Sequence, residues 1–172
     1  MKINEDGSPM MADYEIEHIK GVLIINGYTS CLEWGSGNST IYFPNQCPLI
    51  KRWLSIEHNG HYITHIKART KNEAVELRWL GANQTEEDKQ DYINGADGEK
   101  FDFILVDGLH REECLTKAFT LLNPGGKILV HDTGRQEYQS WLNKYPHTEV
   151  FQGQIQQKNG GFAHRGLMEF TI

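Results

Sequence analysis

A glycine-rich turn after an apolar segment is the first feature of this sequence that could do chemistry. The stretch reads Cys31-Leu32-Glu33-Trp34-Gly35-Ser36-Gly37-Asn38-Ser39-Thr40. Glycine has no Cβ atom, so such a turn can fold tightly and approach a ligand closely. A carboxylate stands just before the turn, which suits a nucleoside cofactor with a cationic amino-acid end. We expect these residues of the turn to bind that cofactor: Glu33, Gly35, Ser36, Gly37 and Ser39.

A second carboxylate, Glu57, follows the next predicted strand, where it can accept hydrogen bonds from both hydroxyls of a ribose. That placement fits a dinucleotide and S-adenosylmethionine equally well. The glycine pattern separates the two, because a dinucleotide fingerprint requires a third glycine where Thr40 stands. Glu33 would also repel a pyrophosphate, whereas it can attract the ammonium group of S-adenosylmethionine directly or through water. We therefore expect S-adenosylmethionine as the cofactor.

Polar residues also follow the fourth and fifth predicted strands, at 107–110 and 131–133. Ligands of open parallel sheets bind at the carboxyl ends of the strands, so these groups should meet at one rim. Asp107 is expected to act in the site and to bind the cofactor, although an aspartate there could simply cap the following helix. His131 and His164 are further candidates, against the alternative of a packed or solvated imidazole.

Three motifs of the chain resemble the class I S-adenosylmethionine-dependent methyltransferases. Residues 32–37 resemble the first motif of that superfamily, Ile56 and Glu57 the second, and 124–130 the turn and strand after the fourth helix. The resemblance spans residues 29–132 and implies a Rossmann-like methyltransferase fold. It also implies that His58, the residue after the ribose acid, touches the adenine edge.

The ends of the fourth and fifth strands are similar to those of the metal-dependent O-methyltransferases of the catechol and caffeoyl-coenzyme A type. This likeness implies that Asp107 and Asp132 hold Mg²⁺, a cation that prefers oxygen ligands. It implies that Asp107 and His110 are catalytic, with the His110 imidazole accepting the proton of the acceptor hydroxyl. Thr133 replaces an asparagine ligand of that family, which leaves open whether this chain binds a metal. The same segments also resemble less characterised bacterial methyltransferases, some linked to sugar modification.

Alternating helix and strand patterns must position these groups. Strands are predicted at 29–34, 52–57, 74–80, 101–106 and 127–130, and a closing hairpin at 148–156 and 162–172, joined through 159–161. Helices are predicted at 10–25, 60–70, 111–122 and 135–144, with a short helix stopped by Pro44 and a loop or short exposed helix at 83–100 begun by Thr85. The pattern predicts an α/β fold, a single doubly wound, mostly parallel seven-stranded sheet with a C-terminal antiparallel hairpin.

Composition limits the class of protein. The 172 residues, 38% of them hydrophobic, fit one domain over residues 1–172. A net charge of -6 with dispersed basic residues disfavours a nucleic-acid partner. The sequence contains neither a membrane-spanning apolar run nor the apolar core of a secretory signal, so we expect a cytoplasmic protein without a membrane partner. The three cysteines are expected to be reduced core thiols.

The leading hypothesis is O-methylation of a small-molecule or carbohydrate hydroxyl. One alternative is an oxidoreductase of the nicotinamide type, disfavoured by Glu33 and the absent third glycine. Another is a binding module that keeps the fold but lacks a working acceptor site, for which Thr133 leaves room. The sequence leaves open whether the chain forms a homodimer.

Overall fold

The computed structural model describes residues 7–83, 85–156 and 162–171, without the side chains of 139, 151–156 and 162–165. The predicted turn at 159–161, the side chain of His164, and residues 1–6 and 172 lie outside this description. The elements follow in the order α1 (Asp13–Ile25), β1 (Ser30–Trp34), α2 (Asn38–Gln46), β2 (Arg52–Glu57), α3 (Gly60–Arg69), β3 (Val75–Trp79), α4 (Glu86–Asn94), β4 (Phe101–Val106), α5 (Arg111–Leu121), β5 (Leu122–His131), α6 (Gln136–Leu142), β6 (Thr148–Gln156) and β7 (Phe162–Phe170).

The strands form one seven-stranded sheet in the order β3-β2-β1-β4-β5-β7-β6. Strands β1 to β5 run parallel, and β7 pairs antiparallel with both β5 and β6. The predicted fold class is therefore confirmed. The chain winds outward from β1 to β3 and returns to β4 beside β1, so the strand order reverses between β1 and β4. Ligands of such sheets bind at the carboxyl ends of the strands beside that reversal.

Alternation along the strands produces two cores, one on each face of the sheet. Leu32 and Trp34 of β1 enter the core covered by α4, α5 and α6, whereas Cys31 enters the core covered by α1 and α2. Trp34 of β1 and Trp53 of β2 are both fully buried. The described structure contains no helix that is long and apolar enough to cross a membrane.

The helix predicted to stop at Pro44 continues to Gln46. Proline has no N–H group, so the carbonyl of Thr40 loses its usual helical partner. The helix nevertheless closes, because the N–H of Cys47 donates to the carbonyl of Phe43 at 3.0 Å. A proline near the end of a helix therefore costs one hydrogen bond without ending the helix.

The segment 83–100, which the sequence predicts as a loop or a short exposed helix, contains α4. This helix begins after Thr85 as predicted. The Thr85 hydroxyl accepts from the N–H of Asp88 at 3.1 Å and so caps the helix. The helix is not wholly exposed, since Tyr92 and Ile93 are buried. The indole of Trp34 donates to the Tyr92 carbonyl at 3.0 Å, which fastens α4 to β1 beneath the rim.

Candidate active site

A cavity of about 460 Å³ opens at the rim where β1, β2 and β4 end. Most of the predicted site residues line it, namely Gly35, Ser36, Gly37, Ser39, Glu57, His58, Asp107 and His110. Glu33 and Asp132 do not line it. The cavity wall also includes residues that the sequence did not single out as site residues, among them Met10, Met11, Arg111, Arg135 and Tyr138.

The glycine turn requires glycine at position 35. Gly35 has a φ of +97°, a backbone conformation that side chains disfavour, and its N–H donates to the Ile56 carbonyl at 2.8 Å. A Cβ atom there would lie 2.7 Å from the Cα of Gly108. The turn after β1 therefore packs directly against the loop after β4, and α2 begins at the cavity with Asn38.

Glu33 points into the protein and not into the cavity. Its carboxylate is fully buried and accepts hydrogen bonds from Ser39 at 2.5 Å, Thr40 at 2.6 Å and the Trp53 indole at 2.8 Å. Burial raises the pKa of Glu33 to about 7, although these three hydrogen bonds oppose the shift. The attraction of a cofactor ammonium by Glu33, directly or through water, therefore stays a prediction. Ser39, which donates to Glu33, lines the cavity.

Glu57 combines a cavity position with a buried carboxylate. One oxygen accepts from the N–H of Ser36 at 2.7 Å, and the other accepts from the N–H of Asn59 at 2.7 Å. Burial raises the pKa of Glu57, and the two N–H groups oppose that shift. A carboxylate oxygen can accept more than one hydrogen bond, so Glu57 can also accept from hydroxyls of a bound ligand.

Two positions at the strand ends have strained backbones. His110 and Asp132, with φ of 50° and 61°, are the non-glycine residues of positive φ among those described. Such conformations cost about 1–3 kcal/mol each and cluster at functional sites. His110 precedes α5 and lines the cavity, whereas Asp132 follows β5 and is buried behind the wall.

A buried arginine joins these two strand ends. Arg111, with 8% of its side chain exposed, lies 2.9 Å from the Asp107 carboxylate and 3.7 Å from that of Asp132. Arg135 contacts the same oxygen of Asp132, Oδ2, at 2.6 Å. Arg111 was not predicted as a site residue. Its position directly after His110, at the start of a predicted helix, was the available signal.

His131 lies between two carboxylates, with its Nδ1 2.8 Å from Asp107 and its Nε2 3.4 Å from Glu15. Burial opposes protonation of His131, but Asp107, Glu15 and Asp132 outweigh it and raise its pKa to about 10. Glu15, on the first turn of α1, is fully buried and was not predicted as a site residue. The contact between Glu15 and His131 therefore connects α1 to the end of β5.

The predicted magnesium ligands lie close together, but other cations already engage them. One potential ligand atom each of Asp107, His131 and Asp132 lies within 4.8 Å of the others. The set contains an imidazole in place of a further oxygen, whereas Mg²⁺ prefers oxygen ligands. Arg111 contacts both carboxylates. These donors do not fit the oxygen-only site predicted for Mg²⁺.

The structure is similar to solved methyltransferase structures, whereas the sequence matches no protein-family model and no curated protein. An O-methyltransferase from Bacillus cereus in complex with SAH matches with a TM-score of 0.67 and 18% identity, covering 95% of this chain and 84% of that one. The O-methyltransferase TomG from Streptomyces achromogenes, in complex with SAM (S-adenosylmethionine), matches with a TM-score of 0.67 and 16% identity. The match covers 94% of this chain and 82% of that one.

An N-methyltransferase has the same architecture. NodS from Bradyrhizobium japonicum, in complex with S-adenosylhomocysteine, matches with a TM-score of 0.60 and 19% identity, covering 92% of this chain and 86% of that one. Similarity at this level of identity describes the fold, and a fold does not define the acceptor atom. The predicted resemblance is confirmed at that level: this chain has the Rossmann-like fold of the class I S-adenosylmethionine-dependent methyltransferases.

Proposed function

We propose that this chain is an S-adenosylmethionine-dependent methyltransferase that methylates a hydroxyl oxygen of a small-molecule or carbohydrate acceptor. The observation that carries the proposal is one cavity, at the point where strand order reverses, lined by the glycine turn, Glu57 and His110. The fold shared with methyltransferases solved with SAM or SAH supports the choice of cofactor.

The cofactor end of the cavity is formed by β1, β2 and the start of α2. The glycine turn at Gly35 and Gly37 accommodates the amino-acid end, with Ser36 and Ser39 as polar neighbours. Glu57 accepts the two ribose hydroxyls, because its oxygens are already oriented by backbone N–H groups. His58 lines the next part of the wall and contacts the adenine edge.

Bound S-adenosylmethionine supplies a methyl group that moves from sulfur to an acceptor oxygen by in-line displacement. His110 accepts the proton of the acceptor hydroxyl, since it lines the cavity and an imidazole can take a proton near neutral pH. Asp107, held by Arg111 and His131, orients this wall of the site. Mg²⁺ is left out of the proposal because the donor set does not fit it.

The acceptor end is defined by side chains that precede α1 or belong to α6 and the loop before it. Met10, Met11 and Tyr138 present apolar and aromatic surfaces, and the Arg135 guanidinium lies 5.6 Å from the centre of the Tyr138 ring. Flat apolar faces suit an aromatic molecule or the face of a sugar ring. This composition supports a small organic acceptor.

Calorimetry with S-adenosylhomocysteine and with NADH tests the cofactor assignment. We expect stoichiometric binding of S-adenosylhomocysteine and none of NADH. Binding of NADH alone would favour the oxidoreductase alternative, and binding of neither ligand would remove the proposal.

Turnover tests the reaction. We expect S-adenosylhomocysteine to form from S-adenosylmethionine in the presence of hydroxylated aromatic or sugar acceptors. His110→Asn tolerates the left-handed backbone but removes the base, so kcat should fall by about 10²- to 10⁴-fold while S-adenosylhomocysteine binds as before. His61→Asn, an exposed histidine on α3, is the matched control. Binding without turnover over the whole panel would favour the binding-module alternative.

A further inference from the structure

We infer that the Arg111 guanidinium takes the place of a divalent metal between Asp107 and Asp132, so that this end of the site is complete without Mg²⁺. The inference concerns the same site as the proposed function. Its decisive test measures metal binding and does not depend on turnover.

The position of Arg111 is set by backbone as well as by charge. Its Nε donates to the carbonyl of Gly108 at 3.0 Å, Nη2 donates to the carbonyl of Asp107 at 3.0 Å, and Nη1 donates to the carbonyl of His131. These carbonyls belong to the two strand ends that carry the aspartates. A guanidinium carries five N–H donors in a fixed planar fork, so Arg111 satisfies all three carbonyls at once.

Burial makes this arrangement unlike an ordinary surface ion pair. The Arg111 side chain is 8% exposed and that of Asp132 is 10% exposed. Buried charges are retained when they are paired and hydrogen-bonded, and removal of one partner leaves the other uncompensated. Arg111 is therefore a built part of the wall.

The charges of the two aspartates are balanced within the cluster. Arg111 bridges both carboxylates, and Arg135 adds a second guanidinium on Asp132. Arginine keeps its charge at every accessible pH, so both positive charges are permanent. A divalent cation would have to enter beside two fixed positive charges or displace Arg111 from three backbone carbonyls. Either event opposes metal binding.

Manganese(II) serves as the probe, because it accepts the same oxygen ligands as Mg²⁺ and is detected by electron paramagnetic resonance. We expect the chelator-treated wild-type chain to bind no stoichiometric Mn²⁺ at submillimolar concentration. Arg111→Lys should behave in the same way, since it retains a positive charge. Arg111→Met removes the charge at similar length and should create a Mn²⁺ site. Adding Asp132→Asn to that variant should abolish the new site.

Stoichiometric Mn²⁺ binding by the wild-type chain that is lost in Asp132→Asn would overturn the inference. So would a folded Arg111→Met variant, verified by circular dichroism, that gains no Mn²⁺ binding. If Arg111→Met fails to fold, the wild-type and Arg111→Lys titrations decide the question by themselves. Failure to bind S-adenosylhomocysteine would remove the proposed function and leave these outcomes standing.

Discussion

The backbone of Gly35 lies against the backbone of Gly108, so close that a Cβ atom on Gly35 would come within 2.7 Å of the Gly108 Cα. This contact joins the glycine turn after β1 to the loop after β4. The two loops carry cofactor and acceptor residues of the proposed site, and their relative position depends on the absence of side chains at the contact.

Gly35→Ala should therefore separate the two loops. We expect at least tenfold weaker binding of S-adenosylhomocysteine in calorimetry and a loss of about 1–3 kcal/mol in the free energy of unfolding. Gly98→Ala is a matched control, because Gly98 also has a positive φ of +77° but has no atom within 4 Å of an added Cβ. The control should lose some stability and keep its affinity. Equal affinity losses in both variants would contradict the importance of the contact.

Glu33 should make stability depend on pH. Its pKa is raised by burial from the ordinary glutamate value of 4.5 to about 7. The folded state then binds a proton that the unfolded state has released, so stability is highest below the unfolded pKa and falls as pH rises through 7. Between pH values below the unfolded pKa and above the folded pKa, the free energy of unfolding changes by about 3 kcal/mol.

Glu33→Gln should remove this part of the pH dependence. Urea unfolding between pH 5 and 8 measures it as the difference in slope between wild type and variant. The exposed Glu87→Gln serves as control and should keep the wild-type slope. A Glu33→Gln variant with the wild-type slope would show that Glu33 ionises normally in the fold.

Glu57 should determine cofactor affinity. Replacement by glutamine places an NH₂ group against the N–H of Ser36 or Asn59, and it also removes an acceptor for a ribose hydroxyl. We expect Glu57→Gln to weaken S-adenosylhomocysteine binding by about 10- to 100-fold, since hydrogen bonds to charged groups contribute about 1.5–3 kcal/mol. Glu73→Gln, at an exposed position before β3, should leave the affinity unchanged. Unchanged affinity in Glu57→Gln would exclude the ribose contact.

His131 should remain protonated at pH 8, because its pKa is raised to about 10 by Asp107, Glu15 and Asp132 against the effect of burial. Its stabilising contribution is complete below the unfolded pKa near 6.5 and is lost as pH rises through 10. Nitrogen-15 NMR of the imidazole should show both ring nitrogens protonated at pH 8. Titration of His131 near pH 6.5 would contradict the assignment.

Glu15→Gln should lower both that pKa and the stability. Removing one partner of a buried ion pair costs about 3–5 kcal/mol, and we expect the lower end because Asp107 still contacts His131. Chemical unfolding at pH 7 measures the loss. Glu17→Gln on the same helix, whose carboxylate contacts Lys20 at the surface, should cost less than about 1 kcal/mol. Similar losses in both variants would show that the buried ion pair contributes no more to stability than the surface ion pair.

Local patterns in the sequence were sufficient for the architecture and for much of the cavity. Periodicity and turn residues predict the sheet and every described helix except α4, because each of these elements buries one face or both. The α4 segment is mostly polar, so the sequence left it open between a loop and a short helix. The rim positions of Glu57, Asp107 and His110 follow, since parallel strands place their carboxyl ends together. Pro44 was misread because the penalty for a proline depends on how much helix follows it.

Tertiary structure alone decided where the charges point and what they meet. Glu33 turns inward because the Trp53 indole and the hydroxyls of Ser39 and Thr40 provide donors for it inside the protein. Glu15 meets His131 only because α1 packs against the end of β5. A one-dimensional pattern contains neither contact, since each depends on the packing of elements that are distant in the chain. The sequence by itself determined the frame of this protein, and the packing determined which of its charged groups face the cavity.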